Sequence, residues 1–341
     1  MDQQPPNKIL VIIVARIGDT LMISPVIRAL KDRYSQAHIT VLAHPQRCEV
    51  LKYLPTIDTL GTITKKTAPF RGWFSGKSFD ICLLYSKDTA LIKYALRVSK
   101  YLYQFGDPYE SDNQRIHYVK SPEVPTHAVL ERLLIPSALG ITTQHYRLEY
   151  QVSEEEQGWA KNWIQNHYSS RPKKLIGIQA MSFPTKPYRN WPLEYFSTLI
   201  DRLSDSFDNI GFLLLGDKAC REVTHNFSTR PGINLVNSCG ELTLRQSAAL
   251  IAQLDLYIGV DTGPTHIAGA LDIPMVAIYH CYHPGALLQP LQRPNLEVIE
   301  HKDYSGDCMR TTPLASLPVE TVAQACKRLL TTTPSRSAQE P

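Results

Sequence analysis

The sequence predicts two α/β domains, each a doubly wound parallel sheet, on three observations. Continuous β-branched runs alternate with helical patterns through both halves of the chain. At 341 residues the chain exceeds one ordinary core and suits two domains of roughly 150 residues each. Two acidic turns, at Asp19 and Asp261, each follow a buried-strand pattern, the place where open α/β sheets hold ligands.

Lys8 to Val14 (KILVIIV) is an unbroken apolar run, as expected of a strand covered on both faces. Ile23, Ile27, Leu30 and Tyr34 then recur at helical spacing, with Ser24-Pro25 as N-cap and first turn. A strand over His38 to Ala43 follows, then a short helix over Gln46 to Tyr53, a strand over Phe79 to Tyr85 and a helix over Lys87 to Val98. Residues 106 to 125 are polar and broken by proline, which predicts a loop. Glu154 to Tyr168 is a charged amphipathic helix.

A second alternation follows Pro172. Strands are expected at Lys174 to Gln179, Ile210 to Leu215, Ile233 to Val236, Leu256 to Val260 and Met275 to Tyr279. Helices are expected at Pro192 to Leu203, Ala219 to Phe227, Leu244 to Leu254 and Pro264 to Leu271. The predicted division is 1–170 and 171–330, with 331–341 a disordered tail and the reactants between the two sheets.

Composition narrows the function. The 43% apolar content is that of a folded protein, and a net charge of +4 suits an anionic small molecule or membrane surface better than nucleic acid. Seven cysteines at 48, 82, 220, 239, 281, 308 and 326 include no C-x-x-C pair, which predicts reduced thiols in a cytoplasmic chain. The apolar run Ile9 to Ala15 is far short of the ~20 residues of a membrane span. No signal peptide pattern opens the sequence. A soluble, cytoplasmic protein is expected, peripheral on a membrane at most.

The richest segment is Gly259-Val-Asp-Thr-Gly-Pro-Thr-His-Ile-Ala-Gly-Ala270. A strand that opens directly into a helix presents backbone N–H groups suited to a diphosphate. Gly263 permits close approach, and Thr262, Thr265 and His266 are expected to turn their polar groups to one crevice. The plainer alternative is a capped helix start with His266 packed locally. Asp19 suits a general base for a hydroxyl nucleophile, or a first-turn acid that serves its helix. Arg189-Asn-Trp-Pro192, with Ser182, Thr185, Lys186 and Tyr188 before it, suits a diphosphate leaving group or is a solvated basic loop. Glu222, after Gly216-Asp217, can hold a sugar hydroxyl or be helix surface.

Lys65-Lys-Thr-Ala-Pro-Phe-Arg71-Gly-Trp-Phe74 mixes cations with aromatics, which suits an acidic acceptor, an anionic membrane, or a solvated loop. His280-Cys-Tyr-His283 needs a further ligand from elsewhere before a zinc site is plausible. No two glycines lie two residues apart, so G-x-G-x-x-G is missing, and neither a Walker A motif nor a D-x-D pair occurs. No cofactor and no metal are expected.

Together, Lys8 to Asp19 with Ser24-Pro25, the Arg189-Asn-Trp-Pro192 loop and Val260 to Ala270 resemble glycosyltransferase family nine, the ADP-heptose:lipopolysaccharide heptosyltransferases. The resemblance implies a GT-B fold of two Rossmann-like domains facing across a cleft, and an inverting, metal-independent transfer. It implies an ADP-sugar donor, ADP-heptose above all, and a lipid A–Kdo or lipopolysaccharide core acceptor at the cytoplasmic face of the inner membrane. Asp19 matches the catalytic base, and Asp261, Thr262, Gly263 and His266 the donor block. Thr265, Arg189, Lys186, Ser182 and Glu222 fall on the donor side, and Arg16, Gly18, Lys65, Lys66 and Arg71 on the acceptor side. The chain departs from the family in having Arg189 for the lysine of K-x-W-P, and His280-Cys-Tyr-His-Pro-Gly285 where Gly-Pro-Thr or Gly-Pro-Ser is usual. A GT-B sugar-nucleotide epimerase and a degenerate nucleotide-sugar-binding scaffold are the alternatives.

Overall fold

The computed structural model describes residues 4–107, 113–224, 227, 229–301 and 308–333. The chain forms two units, Met1–Gln151 and Val152–Pro341.

The first unit contains β1 (Lys8–Ile13), α1 (Ile17–Leu21), α2 (Ser24–Arg33), β2 (His38–Ala43), β3 (Thr59–Thr62), β4 (Phe79–Leu84), α3 (Thr89–Val98), β5 (Ser99–Phe105), β6 (Ile116–Val119) and α4 (Ala128–Ser137). Its sheet runs β3-β2-β1-β4-β5-β6 with every pair parallel. In β1, Ile9 to Ile13 are buried on both faces, which is why the strand reads as an uninterrupted apolar run. α2 buries Val26, Ile27 and Leu30, each contributing roughly 1.5–3 kcal/mol on removal from water. Asp88 caps α3 by accepting from the N–H groups of Ala90 and Leu91.

The second unit contains α5 (Glu154–His167), β7 (Lys174–Gln179), α6 (Leu193–Ser204), β8 (Ile210–Leu214), α7 (Lys218–Thr224), β9 (Asn234–Asn237), α8 (Leu244–Ile251), β10 (Leu256–Val260), α9 (Gly263–Ala270), β11 (Met275–Ile278), α10 (Gly285–Leu288), β12 (Leu296–Ile299) and α11 (Val319–Thr332). The sheet order is β12-β11-β10-β7-β8-β9, again all parallel. Capping boxes start α5 (Ser153 with Glu156) and α8 (Thr243 with Gln246).

Both units share one winding. The strand order reverses between β1 and β4 in the first and between β7 and β10 in the second, and ligands sit beyond the carboxyl ends of strands at such a reversal. The turn carrying Asp19 follows β1, and the turn carrying Asp261 follows β10.

Several expectations need correction. The predicted loop 106–125 contains β6, a four-residue edge strand too short and too polar to stand out, where His117 stacks on Tyr103 at 4.5 Å. Gln46 to Tyr53 shortens to a 3-10 turn over Cys48–Leu51. Ser24 does not cap α2: its hydroxyl donates to the Leu21 carbonyl and accepts from the Glu149 N–H. The division at Gln151 precedes α5 instead of following it, because α5 packs on α8 and Glu156 binds Arg245 of that helix, Nε to Oε1 at 2.8 Å. Thr331 and Thr332 belong to α11 where a disordered tail was expected, and residues 334–341 lie outside the described residues. The predicted helix Ala219 to Phe227 is described as Lys218–Thr224, with 225 and 226 outside. Among the described residues no helix is long and apolar enough to cross a membrane.

Candidate active site

In the first unit, α1 begins four residues after β1, and Asp19 lies in its first turn. The Arg132 Nη2 donates to Asp19 Oδ1 at 2.7 Å from α4, while Arg132 Nη1 holds the Ala128 carbonyl. Arg132 is largely buried and the Asp19 side chain is 44% exposed, so the carboxylate is oriented from behind and open in front. The loop before α1 is tied down as well, since Arg47 Nη1 donates to the Ala15 carbonyl at 3.1 Å. Arg16 is exposed at the N-cap position of α1, and Gly18 is buried beneath the turn. Lys65, Lys66 and Arg71 are exposed on the loop that follows β3, which leaves the sheet at the same edge as Asp19. Lys65 Nζ is 3.4 Å from Asp88 Oδ2, and Arg71 donates to the Thr62 carbonyl.

In the second unit, β10 is entirely buried and delivers Asp261 and Thr262 to the start of α9. Asp261 Oδ2 accepts from Arg189 Nη1 at 2.5 Å, both residues under a tenth exposed, and His266 Nε2 lies 3.7 Å from Asp261 Oδ1. Arg189, for which the sequence left open a diphosphate contact or a solvated basic loop, is a buried partner of Asp261, 72 residues away in the chain. Its Nε has no hydrogen-bond partner among the described residues, and the same holds for the buried hydroxyls of Ser182 and Tyr279. Buried polar atoms in that state are open to a ligand or to water.

Thr265 does not point into the crevice as expected. Its hydroxyl donates to the Val260 carbonyl at 2.6 Å and meets the Tyr257 hydroxyl at 3.1 Å, closing the turn from within. Thr262 is the N-cap residue of α9, yet its side chain caps no N–H group. Pro264 stands in the first turn, where its missing N–H costs nothing. The start of α9 therefore has the positive end of the helix dipole and no side-chain cap over it.

The Arg189-Asn-Trp-Pro192 motif splits into two jobs. Trp191 is buried, donates Nε1 to the Leu317 carbonyl at 3.0 Å and packs edge-on against Tyr195 and Phe196. Asn190 Oδ1 accepts from the Ser182 N–H at 2.7 Å and closes the loop on itself. Those contacts hold the 3-10 turn Pro187–Arg189 in place, and Arg189 alone of the motif reaches Asp261. Glu222 is exposed on α7, behind the carboxyl end of β8.

Tyr188, His280, Tyr282 and His283 form an aromatic group beside this pair, with Tyr188 edge-on to His280 at 5.1 Å and parallel to His283 at 6.1 Å. His280 Nδ1 accepts from the Tyr282 N–H, which leaves Nε2 to donate to the Thr312 carbonyl at 2.7 Å. Cys281 is joined to Cys308, correcting the expectation of reduced thiols for this pair. Cys281 follows β11 and Cys308 lies beyond β12, yet their Cα atoms are 6.0 Å apart, within bridging range. His280, Cys281 and Cys308 offer ligand atoms within 4.8 Å of one another, but the sulfurs are bonded and both imidazole nitrogens are engaged. The group is not arranged as a metal centre.

Burial, with Arg189, Lys186, Arg310 and His280 nearby, lowers the pKa of His283 to about 4. Its unfolded value is about 6.5, so the folded state favours the neutral ring and loses that stability as pH falls from about 6.5 to about 4. His283→Gln should flatten the pH dependence of urea-denaturation stability across that window, and an unchanged slope would show that His283 does not contribute.

Two Rossmann-like units, each an all-parallel sheet with this strand order, are the architecture of the GT-B fold. A glycosyl transferase of family 9 from Veillonella parvula has the same fold, with a TM-score of 0.80 at 20% identity over 96% of this chain and 98% of that one. The Escherichia coli ADP-heptose lipopolysaccharide heptosyltransferase II aligns with a TM-score of 0.76 at 22% identity, covering 95% and 98%. The profile of glycosyltransferase family 9 (heptosyltransferase) matches residues 97–314, and the chain belongs to that family. Among curated relatives it is 22% identical to the lipopolysaccharide core heptosyltransferase OpsX of Haemophilus influenzae, covering 82% of this chain and 81% of that protein. It is 25% identical to lipopolysaccharide heptosyltransferase 3 of Escherichia coli K12, covering 77% and 79%. The chain is a glycosyltransferase of the heptosyltransferase kind.

Proposed function

We propose that this enzyme moves a heptose, or a closely related sugar, from an ADP-sugar to a lipopolysaccharide core acceptor, with inversion and without a metal. The observation that carries the reading is the uncapped start of α9 beside the buried Arg189–Asp261 pair. A diphosphate placed there meets the N–H groups from Gly263 onward, the helix dipole and the Lys186 charge. Arg189 is already matched by Asp261, so its part is directional hydrogen bonding more than net charge. Support from relatives is of the same kind: an E. coli heptosyltransferase of the same fold, WaaC, has been solved with ADP and with ADP-2-deoxy-2-fluoro heptose.

The acceptor side belongs to the first unit. Asp19 takes the proton of the acceptor hydroxyl as its oxygen bonds to the anomeric carbon; the bond from that carbon to the diphosphate breaks, and ADP leaves with the electron pair. Attack from the face opposite ADP inverts the anomeric centre. Arg16 and Gly18 beside Asp19, with Lys65, Lys66 and Arg71 on the neighbouring loop, meet the acceptor's acidic groups. Ser182, Thr262, His266 and Glu222 complete the donor side. The acceptor is lipid-linked, which puts the reaction at the cytoplasmic face of the inner membrane.

Incubation with ADP-heptose, with and without a lipid A–Kdo or core acceptor, tests the reading. ADP release that requires the acceptor is the expected outcome. Isomerised nucleotide sugar without acceptor would establish an epimerase, and saturable binding with no turnover a scaffold.

A further inference from the structure

The loop after β3 carries three aromatic side chains that the transfer chemistry does not use. Of the eight large hydrophobic side chains exposed among the described residues, three fall within five positions: Phe70 at 83%, Trp73 at 64% and Phe74 fully open. From Thr59 to Ser78 the chain has four cations, Lys65, Lys66, Arg71 and Lys77, and no acidic residue. Solvated loops do not ordinarily gather aromatics in this way.

The loop is held in shape. Trp73 Nε1 donates to the Pro69 carbonyl at 2.8 Å, and the Arg97 guanidinium of α3 stacks on the indole at 3.8 Å. Arg97 also donates to the Ala68 and Arg71 carbonyls, and Lys77 to that of Leu96. Gly72 has φ +78° and approaches Val98 so closely that a Cβ would stand 2.5 Å from Cγ1, so the tight turn that lifts Trp73 and Phe74 outward requires glycine there. Ile63 and Ala68 are buried and anchor the base of the loop. Three aromatics are thus held in water by a structured scaffold with cations around them.

We infer that Phe70, Trp73 and Phe74 form a docking surface for an anionic phospholipid bilayer, with Lys77 and the net positive charge of the loop drawn to the headgroup phosphates. Aromatic rings favour the membrane interface, and clustered cations are drawn to the anionic leaflet. The charge is complementary and the apolar part is local, which matches a shallow interfacial contact. The loop leaves β3 at the carboxyl edge, where Lys65 approaches Asp88, and runs back along α3, so that Gly72 and Trp73 meet Val98 and Arg97 near the start of β5. The inference rests on the proposed lipid-linked acceptor, which gives such a surface its use.

The test is co-sedimentation of the full chain with vesicles of mixed phosphatidylethanolamine and phosphatidylglycerol, against vesicles of phosphatidylcholine alone, with no nucleotide or acceptor present. The wild type should partition to the anionic vesicles, less so as salt rises. Phe70→Ser/Trp73→Ser/Phe74→Ser should lower that partition at least about tenfold. Phe74→Ser alone, at a fully exposed side chain, should lower it without altering thermal stability, which separates docking from folding. Turnover on a delipidated, water-soluble acceptor should be unchanged in both variants. Failure of the wild type to bind, equal binding to neutral vesicles, or unchanged binding by the variants would overturn the inference. So would a wild-type dimer that Phe74→Ser dissolves with no vesicle binding, which would assign the face to self-association. Vesicle binding needs no catalysis, so its failure and a failure of the transferase reading are separately visible.

Discussion

Asp19→Asn is expected to lower turnover by about 10²–10⁴-fold, the range of a lost general base, while leaving ADP affinity nearly unchanged. The amide keeps the shape of the carboxylate and can still meet Arg132, so the fold of α1 and α4 should survive. What it cannot do is take a proton. Nucleotide affinity should hold because the donor contacts are proposed in the second unit, around Asp261 and α9. Steady-state kinetics with ADP titration calorimetry on the same preparation checks both halves; turnover within a few fold of wild type would remove Asp19 from the base role. Arg132, which orients the carboxylate, is a positioning residue.

The second large effect concerns the buried ion pair. Asp261→Ala leaves the Arg189 guanidinium under a tenth exposed without its counter-charge, and breaking such a pair on one side costs about 3–5 kcal/mol. Replacing both partners, Asp261→Ala with Arg189→Met, should recover much of that loss, since two apolar groups leave no stranded charge. Nucleotide binding should not return with it, because the directional donors are gone. Urea denaturation of the three proteins separates these outcomes. A single variant within about 1 kcal/mol of wild type would mean that the pair is solvated in solution and contributes as a surface bridge does.

Much of the fold was legible because parallel strands buried on both faces leave a distinctive trace. Lys174 to Gln179 and Leu256 to Val260 were readable to the residue, each an apolar run with a polar or turn residue at its end. Short edge strands left no such trace: β3 and β6 are four residues each and half open, so their alternation competes with ordinary loop composition. The Asp19 and Asp261 turns were identifiable from residue type and position relative to a strand. Their partners were not, since Arg132 is 113 residues from Asp19 and lies on a helix that the pattern did not reveal. Side-chain direction was equally hidden. Thr265 has the composition of a ligand-binding hydroxyl but spends it on the Val260 carbonyl, a choice that the three-dimensional turn makes. Trp191, read as part of a binding motif, is a core anchor, and Cys281 found Cys308 across 27 residues with no spacing signal.

The central claim is transfer of a sugar from an ADP-linked donor to a lipopolysaccharide core acceptor, and the mass of the acceptor tests it most directly. After incubation with ADP-heptose, the account predicts that wild-type enzyme adds one heptose residue to the acceptor with release of one ADP. An acceptor of unchanged mass, accompanied by an isomerised or untouched nucleotide sugar, would contradict it.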